Sequence, residues 1–562
     1  MALATAGALG GAATAAVVVE GRWIGRALFG ARYASIGHLA FPYMGAMALF
    51  GMCRVVVAER CGRGQARSTG VLLGAVAAGH ALLILAVGTD PARIAAATLA
   101  ACAALTAGLL VLSPPRRAWG SARGRATLVA LPTLPDPVRD RPPRVTPDHL
   151  PAPDRRWIRT VAVLAAMSVV ALAVRLAVPR GLWLDEATSV LEARLPFSGM
   201  LRTLRTGDVH PPLYFSMLWL AVRAVGSGEV AVRLPSMLAG VAVVPAAFVT
   251  ARDLYDRRTG MVAAALAVGA PLLVWYSQEA RMYSLFMLLS LLAVWGQVRA
   301  LRYGRPRDWA LYVAASSMLV WNEYFGLLQV VAQQAGFGWV AWVCRSARDR
   351  RDYLVGWALA SLALVAMLLP LAPLALHQFR VNQHAGLGFT QVPSQAGNGA
   401  SAVRSTRLSI YALGANLIWA LWGYHADTTI ALIAALWPLA MLGSLVLLGR
   451  RRRELTTVVL MSVIGPTAAL FLLGLLKPEL FDVRYLAGVV VLLVVLMARA
   501  VTGLSRTGAV IGVVTVLLLA TNGAALADQQ LNGANPRRYD FRSAFARIRA
   551  DARPGDLVVY DP

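Results

Sequence analysis

The sequence predicts an all-α protein that crosses a membrane many times, on three observations. Hydrophobic residues fill 58% of the 562 positions and charged residues only 15%, with a mean hydropathy of +0.60. Soluble domains carry roughly 25% charged residues. Apolar runs at 91–112, 157–178, 354–374, 427–448, 456–476 and 508–527 each reach the ~20 residues that a helix needs to span the hydrocarbon layer. Short arginine-rich loops separate the runs, as expected where positive charge holds loops on the cytoplasmic side.

The net charge of +26 is almost all arginine; Lys477 is the only lysine. On a soluble chain this would suggest nucleic-acid binding. Between apolar spans it orients the chain instead, and no nucleic-acid partner is expected. Cys53, Cys61, Cys102 and Cys344 lie in or beside apolar segments without Cys-x-x-Cys pairing, so neither a disulfide framework nor a metal site is read from them. The apolar N-terminus has no basic stretch before it and is not read as a cleaved leader.

Three or four helices are expected within 1–112: 3–19, a weak span that meets Glu20 and Arg22, then 36–53, 69–88 and 91–112. Arg54, Arg60, Arg63 and Arg67 place the loop after the second of these in the cytoplasm. Residues 113–156 hold ten prolines and no apolar run long enough to cross, which predicts a cytoplasmic, disordered linker.

The main module is expected at 157–527, with about eleven helices. Arg155, Arg156 and Arg159 hold the near end of the first helix inside. Arg252–Arg258, Arg299–Arg307, Arg345–Arg351, Arg450–Arg453 and Arg499–Arg506 mark further cytoplasmic turns. The outer side then receives 180–233, 276–283, 322–325, 376–425, 477–484 and the tail from about 528. Residues 211–226 are apolar but short, open with Pro211-Pro212 and carry Arg223. They are expected to lie along the outer interface without crossing, while 234–251 and 260–276 run in and back out. In the tail 528–562, an amphipathic stretch Phe541–Ala552 and a β-like run Leu557–Tyr560 suggest the start of a small external α/β unit.

The sharpest signal lies in the first outer loop: Gly181-Leu-Trp-Leu-Asp185-Glu186, then Gly207-Asp208-Val209-His210-Pro211-Pro212-Leu213. Adjacent carboxylates at a membrane edge are costly to hold and mark a site. With Arg233-Leu-Pro-Ser236, Ser277-Gln-Glu279-Ala-Arg281-Met-Tyr283-Ser284 and Phe481-Asp-Val-Arg484-Tyr485-Leu, the pattern resembles the GT-C superfamily of membrane glycosyltransferases. The nearest branch is the protein O-mannosyltransferase and aminoarabinose-transferase-like group. The resemblance is good over 157 to about 345, rests beyond that on architecture and Arg484-Tyr485, and does not reach 1–150. Where relatives often carry an Asp shortly after the Ala-Arg, this chain has Tyr283 or Ser284.

The resemblance implies the GT-C fold and transfer of a sugar from a polyprenyl-phosphate carrier to an acceptor hydroxyl on the outer face of the cell membrane, with inversion. It makes Asp185 the general base and Glu186 an orienting or auxiliary carboxylate. The leaving phosphate needs cations, and a guanidinium meets phosphate oxygens bidentately. Arg233, Arg281 and Arg484 are the outer-face candidates, with Lys477 behind them, the alternative for each arginine being an interfacial snorkelling role; His210, which could bond substrate or shape the Pro-Pro turn, joins Glu279, Tyr283 and Tyr485 in the binding set. Trp183, Trp275, Tyr276 and Tyr283 could stack on sugar or isoprenoid, or form an interfacial aromatic belt. No cofactor is expected. Asp185, Glu186 and Asp208 could hold a divalent cation, but the arginines already neutralise a monophosphate. The expected partners are the lipid-linked donor, a lipid, glycan or protein acceptor, and membrane lipids. The closest branch suggests mannose. An arabinose or oligosaccharide transferase of the same fold is the alternative, and a lipid or sugar transporter the alternative of another class. A transporter's charges would line a path through the helices, whereas these gather at one face.

Overall fold

The computed structural model describes residues 155–178, 181–207, 209–343, 347–384, 421–423, 453–476, 482–504, 507–532 and 541–553, together with 100 and 103. Apart from those last two, they fall in one compact unit drawn from 133–408 and 413–562. The expected N-terminal helices, the linker as far as 154, the run 427–448, Lys477, Asp208 and the β-like run 557–560 lie outside the described residues, or in the N-terminal case almost wholly so.

Every element among the described residues is helical. In chain order they are α1 (Arg155–Leu176), α2 (Leu184–Arg194), α3 (Phe197–Thr206), α4 (Pro212–Val225), α5 (Glu229–Leu254), α6 (Arg257–Val268), α7 (Pro271–Ser277), α8 (Tyr283–Tyr303), α9 (Pro306–Asn322), α10 (Gly326–Val343), α11 (Ala347–Leu368), α12 (Ala372–His384), α13 (Arg453–Leu476), α14 (Ala487–Leu504), α15 (Gly508–Leu531) and α16 (Phe541–Asp551). Seven are long and apolar enough to cross a membrane, or eight if α6 and α7 count as one span. The chain is a multi-pass, all-α membrane protein. The expected total of about eleven includes 427–448 and is not counted here.

The centre of the bundle is α5, α8 and α14, whose buried faces merge into one apolar cluster. Helices without a water-driven preference for each other associate where small residues let backbones approach. A Cβ on Gly296 of α8 would stand 2.7 Å from the Tyr312 backbone of α9, and one on Gly240 of α5 would stand 1.9 Å from Ser277 Oγ. Both positions therefore need glycine for packing.

The run 260–276, read from the sequence as one straight span, is two helices meeting at 57°. Pro271 causes the break. It has no N–H to donate, and it biases the residue before it away from helical backbone; Ala270 is extended at φ −62°, ψ 120°. The bend exposes the carbonyl of Val268, and buried Arg175 of α1 donates to it at 3.3 Å while also donating to Ala171 and Gly240 carbonyls. Gln278 in turn donates to the Arg175 carbonyl. Arg175 thus ties α1, α5 and the broken span together just beneath the loop that carries Asp185.

Residues 212–225 form a 14-residue helix, too short to be a candidate span, closed by Gly226 at φ 92°. Arg223 donates to the carbonyls of Ala193 and Leu195 and lies 3.8 Å from the centre of the Trp219 ring. The arginine that made this run a poor span therefore staples α4 to α2.

Candidate active site

The first turn of α2 carries Asp185 and Glu186, where the positive end of the helix dipole favours carboxylates. Their side chains have different surroundings. Glu186 is fully buried. It accepts from Arg233 Nε and Nη2, both at 2.7 Å, from the Ala280 N–H at 2.6 Å and from the Trp183 N–H at 3.2 Å. One carboxylate thus joins α2, α5 and the 278–282 turn. Asp185 is half-buried, and no described residue hydrogen bonds to its carboxylate.

Arg233 also donates to the Gly181 carbonyl. Its bidentate engagement with Glu186 ties α5 to the acidic turn. Burying such a pair is costly, and it holds only because every lone pair facing it is met.

Arg281 lies beside this pair. Its Nη1 donates to Ser189 Oγ at 3.0 Å. Its Nη2 lies 3.3 Å from His210 Nε2. Ser236 donates to the Arg281 carbonyl, so Tyr214 donates to Ser236 at 2.8 Å. The His-Pro-Pro loop, the Arg-Leu-Pro-Ser start of α5 and the Glu-Ala-Arg turn therefore converge. Glu279 is buried in the same turn.

Arg484 comes from the other end of the module. Asp482 caps the short helical turn Val483–Leu486, accepting from the Arg484 N–H at 3.0 Å and pairing with its Nε at 3.2 Å. The guanidinium is partly exposed. Tyr283 lies within electrostatic reach of Arg484, Arg281, Glu323 and Asp185. Tyr485 stacks on Phe325 at 4.0 Å. Trp183, Trp275, Tyr276 and Tyr283 are all buried, with Tyr276 and Tyr283 packed at 4.9 Å. They belong to the core of the bundle and form no exposed belt.

Two residues of this region were not singled out in the sequence. Glu323, in the turn between α9 and α10, is 3% exposed, and its Oε2 accepts no hydrogen bond. Burial pushes its carboxyl above the ordinary value, against the opposing pull of His210, the Phe325 N–H, Arg281 and the Tyr324 N–H. Gln378 of α12 donates to the carbonyls of Leu204 and His210 and accepts from the Tyr324 hydroxyl at 2.7 Å. The only sequence signal for Glu323 was its place in a turn already assigned to the outer side. For Gln378 there was none.

Charge is not confined to this end. Asp253, Arg299 and Asp308 sit in helices at the opposite end, joined at 2.7–3.4 Å. The expectation that charges gather at one face is corrected accordingly. No group of three or more potential metal ligands is gathered among the described residues.

A family model described as dolichyl-phosphate-mannose-protein mannosyltransferase matches residues 209–371. The matched stretch contains His210, Arg233, Glu279, Arg281, Tyr283 and Glu323. Residues 209–371 are thus similar to that family, in line with the resemblance read from the motifs. No curated protein sequence matches. Among solved structures, ArnT from Cupriavidus metallidurans in the apo state aligns at 15% identity with a TM-score of 0.44, over 66% of this chain and 65% of that one. The same protein bound to undecaprenyl phosphate aligns at 15% and 0.43, over 67% and 66%. The Archaeoglobus fulgidus oligosaccharyltransferase in complex with Zn and sulfate aligns at 16% and 0.43, over 69% of this chain and 55% of that one.

Proposed function

We propose that this chain is an inverting glycosyltransferase that moves a sugar, mannose in the first instance, from a polyprenyl-phosphate carrier to an acceptor hydroxyl at the outer face of the cell membrane. The observation that carries the reading is Asp185, to whose carboxylate no described residue hydrogen bonds, within electrostatic reach of Tyr283 as Arg281 and Arg484 are. A hydroxyl attacking an anomeric carbon needs a base on its proton, and a carrier phosphate leaving with a negative charge needs cations. The family description, with its lipid-phosphate-linked mannose, supports both the donor class and the sugar.

In this mechanism Asp185 accepts the hydroxyl proton as the oxygen bonds to the anomeric carbon from the face opposite the phosphate. The bond from that carbon to the phosphate oxygen breaks, and the electron pair stays on the phosphate. Arg281 and Arg484 hold the phosphate, with Lys477 kept as a further cation on the sequence resemblance alone. Glu186 and Arg233 are positioning residues that fix the turn on which Asp185 stands. His210 orients Arg281. Neither acceptor nor sugar follows from these roles, so the test uses a panel. The purified chain in vesicles is given polyprenyl-phosphate-mannose, -glucose and -arabinose with lipid, glycan and peptide acceptors. Release of bare polyprenyl phosphate, with an inverted anomeric product, is expected for one donor. Release from none, while the chain remains folded, would overturn the reading.

A further inference from the structure

We infer that Glu323 binds the transferred sugar, its Oε2 accepting hydrogen bonds from the sugar's hydroxyl groups. The inference rests on the proposed function and adds to it the residue that distinguishes a loaded carrier from an empty one.

Glu323 closes α9 in extended conformation, φ −155°, ψ 124°. Its carboxylate turns back toward the N–H groups of Tyr324 and Phe325, ahead of α10. That explains half of the group. The other half is unexplained by the fold: Oε2 is shut off from water and hydrogen bonds to nothing. An orphaned acceptor in a buried position is costly, and a ligand hydroxyl would satisfy it.

The surroundings say which ligand. His210 and Arg281 act on Glu323 from a distance but do not pair with it, and Tyr283 and Tyr485 feel its charge. Glu323 thus lies within electrostatic reach of Arg281, Tyr283 and Tyr485, and Phe325, two residues on, stacks on Tyr485 at 4.0 Å. A carboxylate is an acceptor only, and aromatic faces beside it suit the C–H side of a pyranose or furanose ring. The phosphate itself is repelled by Glu323, so the donor's anionic end belongs to Arg281 and Arg484 and its hydroxyl-bearing end to Glu323.

Glu323→Gln separates this role from capping. The amide keeps one oxygen for the backbone N–H groups but places an NH2 donor where Oε2 was. The wild-type chain and the variant, both full-length and in nanodiscs, are titrated with bare polyprenyl phosphate and with the mannose, glucose, galactose and arabinose conjugates. Expected is a wild type that binds one conjugate more tightly than bare carrier. In the variant that advantage falls roughly ten- to hundredfold, while affinity for the bare carrier and thermal stability are not lowered. Equal loss for bare carrier and conjugate would assign Glu323 to the phosphate end or to folding and overturn the inference. So would an unchanged variant, or a wild type with no preference for any conjugate. If the wild type binds bare carrier through Arg484 in that last case, the proposed donor class survives although the inference does not.

Discussion

At the site end of α5, Arg233 holds Glu186 in a bidentate pair, while Asp185 one residue away and Glu323 across the site accept no arginine. At the other end of the same helix, some 30 Å away by helical rise, Asp253 has both oxygens engaged. Arg252 reaches Oδ1, and Trp295 and Arg299 reach Oδ2. Arg299 continues to Asp308. Both ends use buried carboxylates to join helices. At the site end Asp185 and Glu323 meet no basic group among the described residues, beside partly exposed Arg484. Arg233 and Arg299 tie helices together through their carboxylate partners, whereas a site that must receive a phosphate and a proton needs a carboxylate without a basic partner. The contrast teaches that a charge at a membrane edge is not by itself a functional residue; the state of its partners decides.

Breaking the closed pairs should have the largest effect. Arg233→Ala leaves a buried carboxylate uncompensated and should cost about 3–5 kcal/mol, seen as loss of the folded peak in size-exclusion chromatography. Arg299→Ala should behave the same way at the other end. If Arg233→Ala folds normally, Glu186 and Arg233 do not hold the turn together. The candidate phosphate-binding arginines should behave otherwise. Arg281→Ala and Arg484→Ala should fold yet bind polyprenyl phosphate roughly tenfold or more weakly, with Lys restoring only part because an ammonium cannot form the fork. Unchanged affinity in both would reduce them to interfacial anchors.

The smallest effect is a pH dependence. Glu323 has its carboxyl raised by burial. Below the unfolded-state value both states are protonated and the group contributes nothing. As pH rises the unfolded chain loses this proton first, so the folded state is progressively disfavoured up to the raised folded value. Glu323→Gln should therefore raise Tm slightly at pH 8, with the gain vanishing toward pH 4. A gain that grows as pH falls would reverse the assigned direction.

Much of this was legible in the sequence because motifs at membrane edges are rare and chemically marked. Asp185-Glu186, His210-Pro-Pro and Glu279-Ala-Arg281 do converge, and 212–225 is short and carries its own arginine. A cysteine replacing Gly228, where a Cβ meets nothing, should react with an impermeant thiol reagent added outside cells; protection there would mean α4 crosses. Other features were hidden for physical reasons. Pro271 sits in an unbroken apolar run, so composition alone shows a span and not a bend. Arg233 reads as one of several outer arginines until Glu186 is seen across 47 residues of chain. Glu323 and Gln378 stand alone in turns and helices, and only burial distinguishes them.

The most direct test of the central claim compares Asp185→Asn with Asp253→Asn, measuring single-turnover sugar transfer per folded molecule with the donor that the panel identifies. Asp185→Asn should stay folded and bind donor, yet transfer about 10²–10⁴-fold more slowly. Asp253→Asn should be less stable, yet transfer at the wild-type rate per folded molecule. Near wild-type transfer by folded Asp185→Asn would contradict the account.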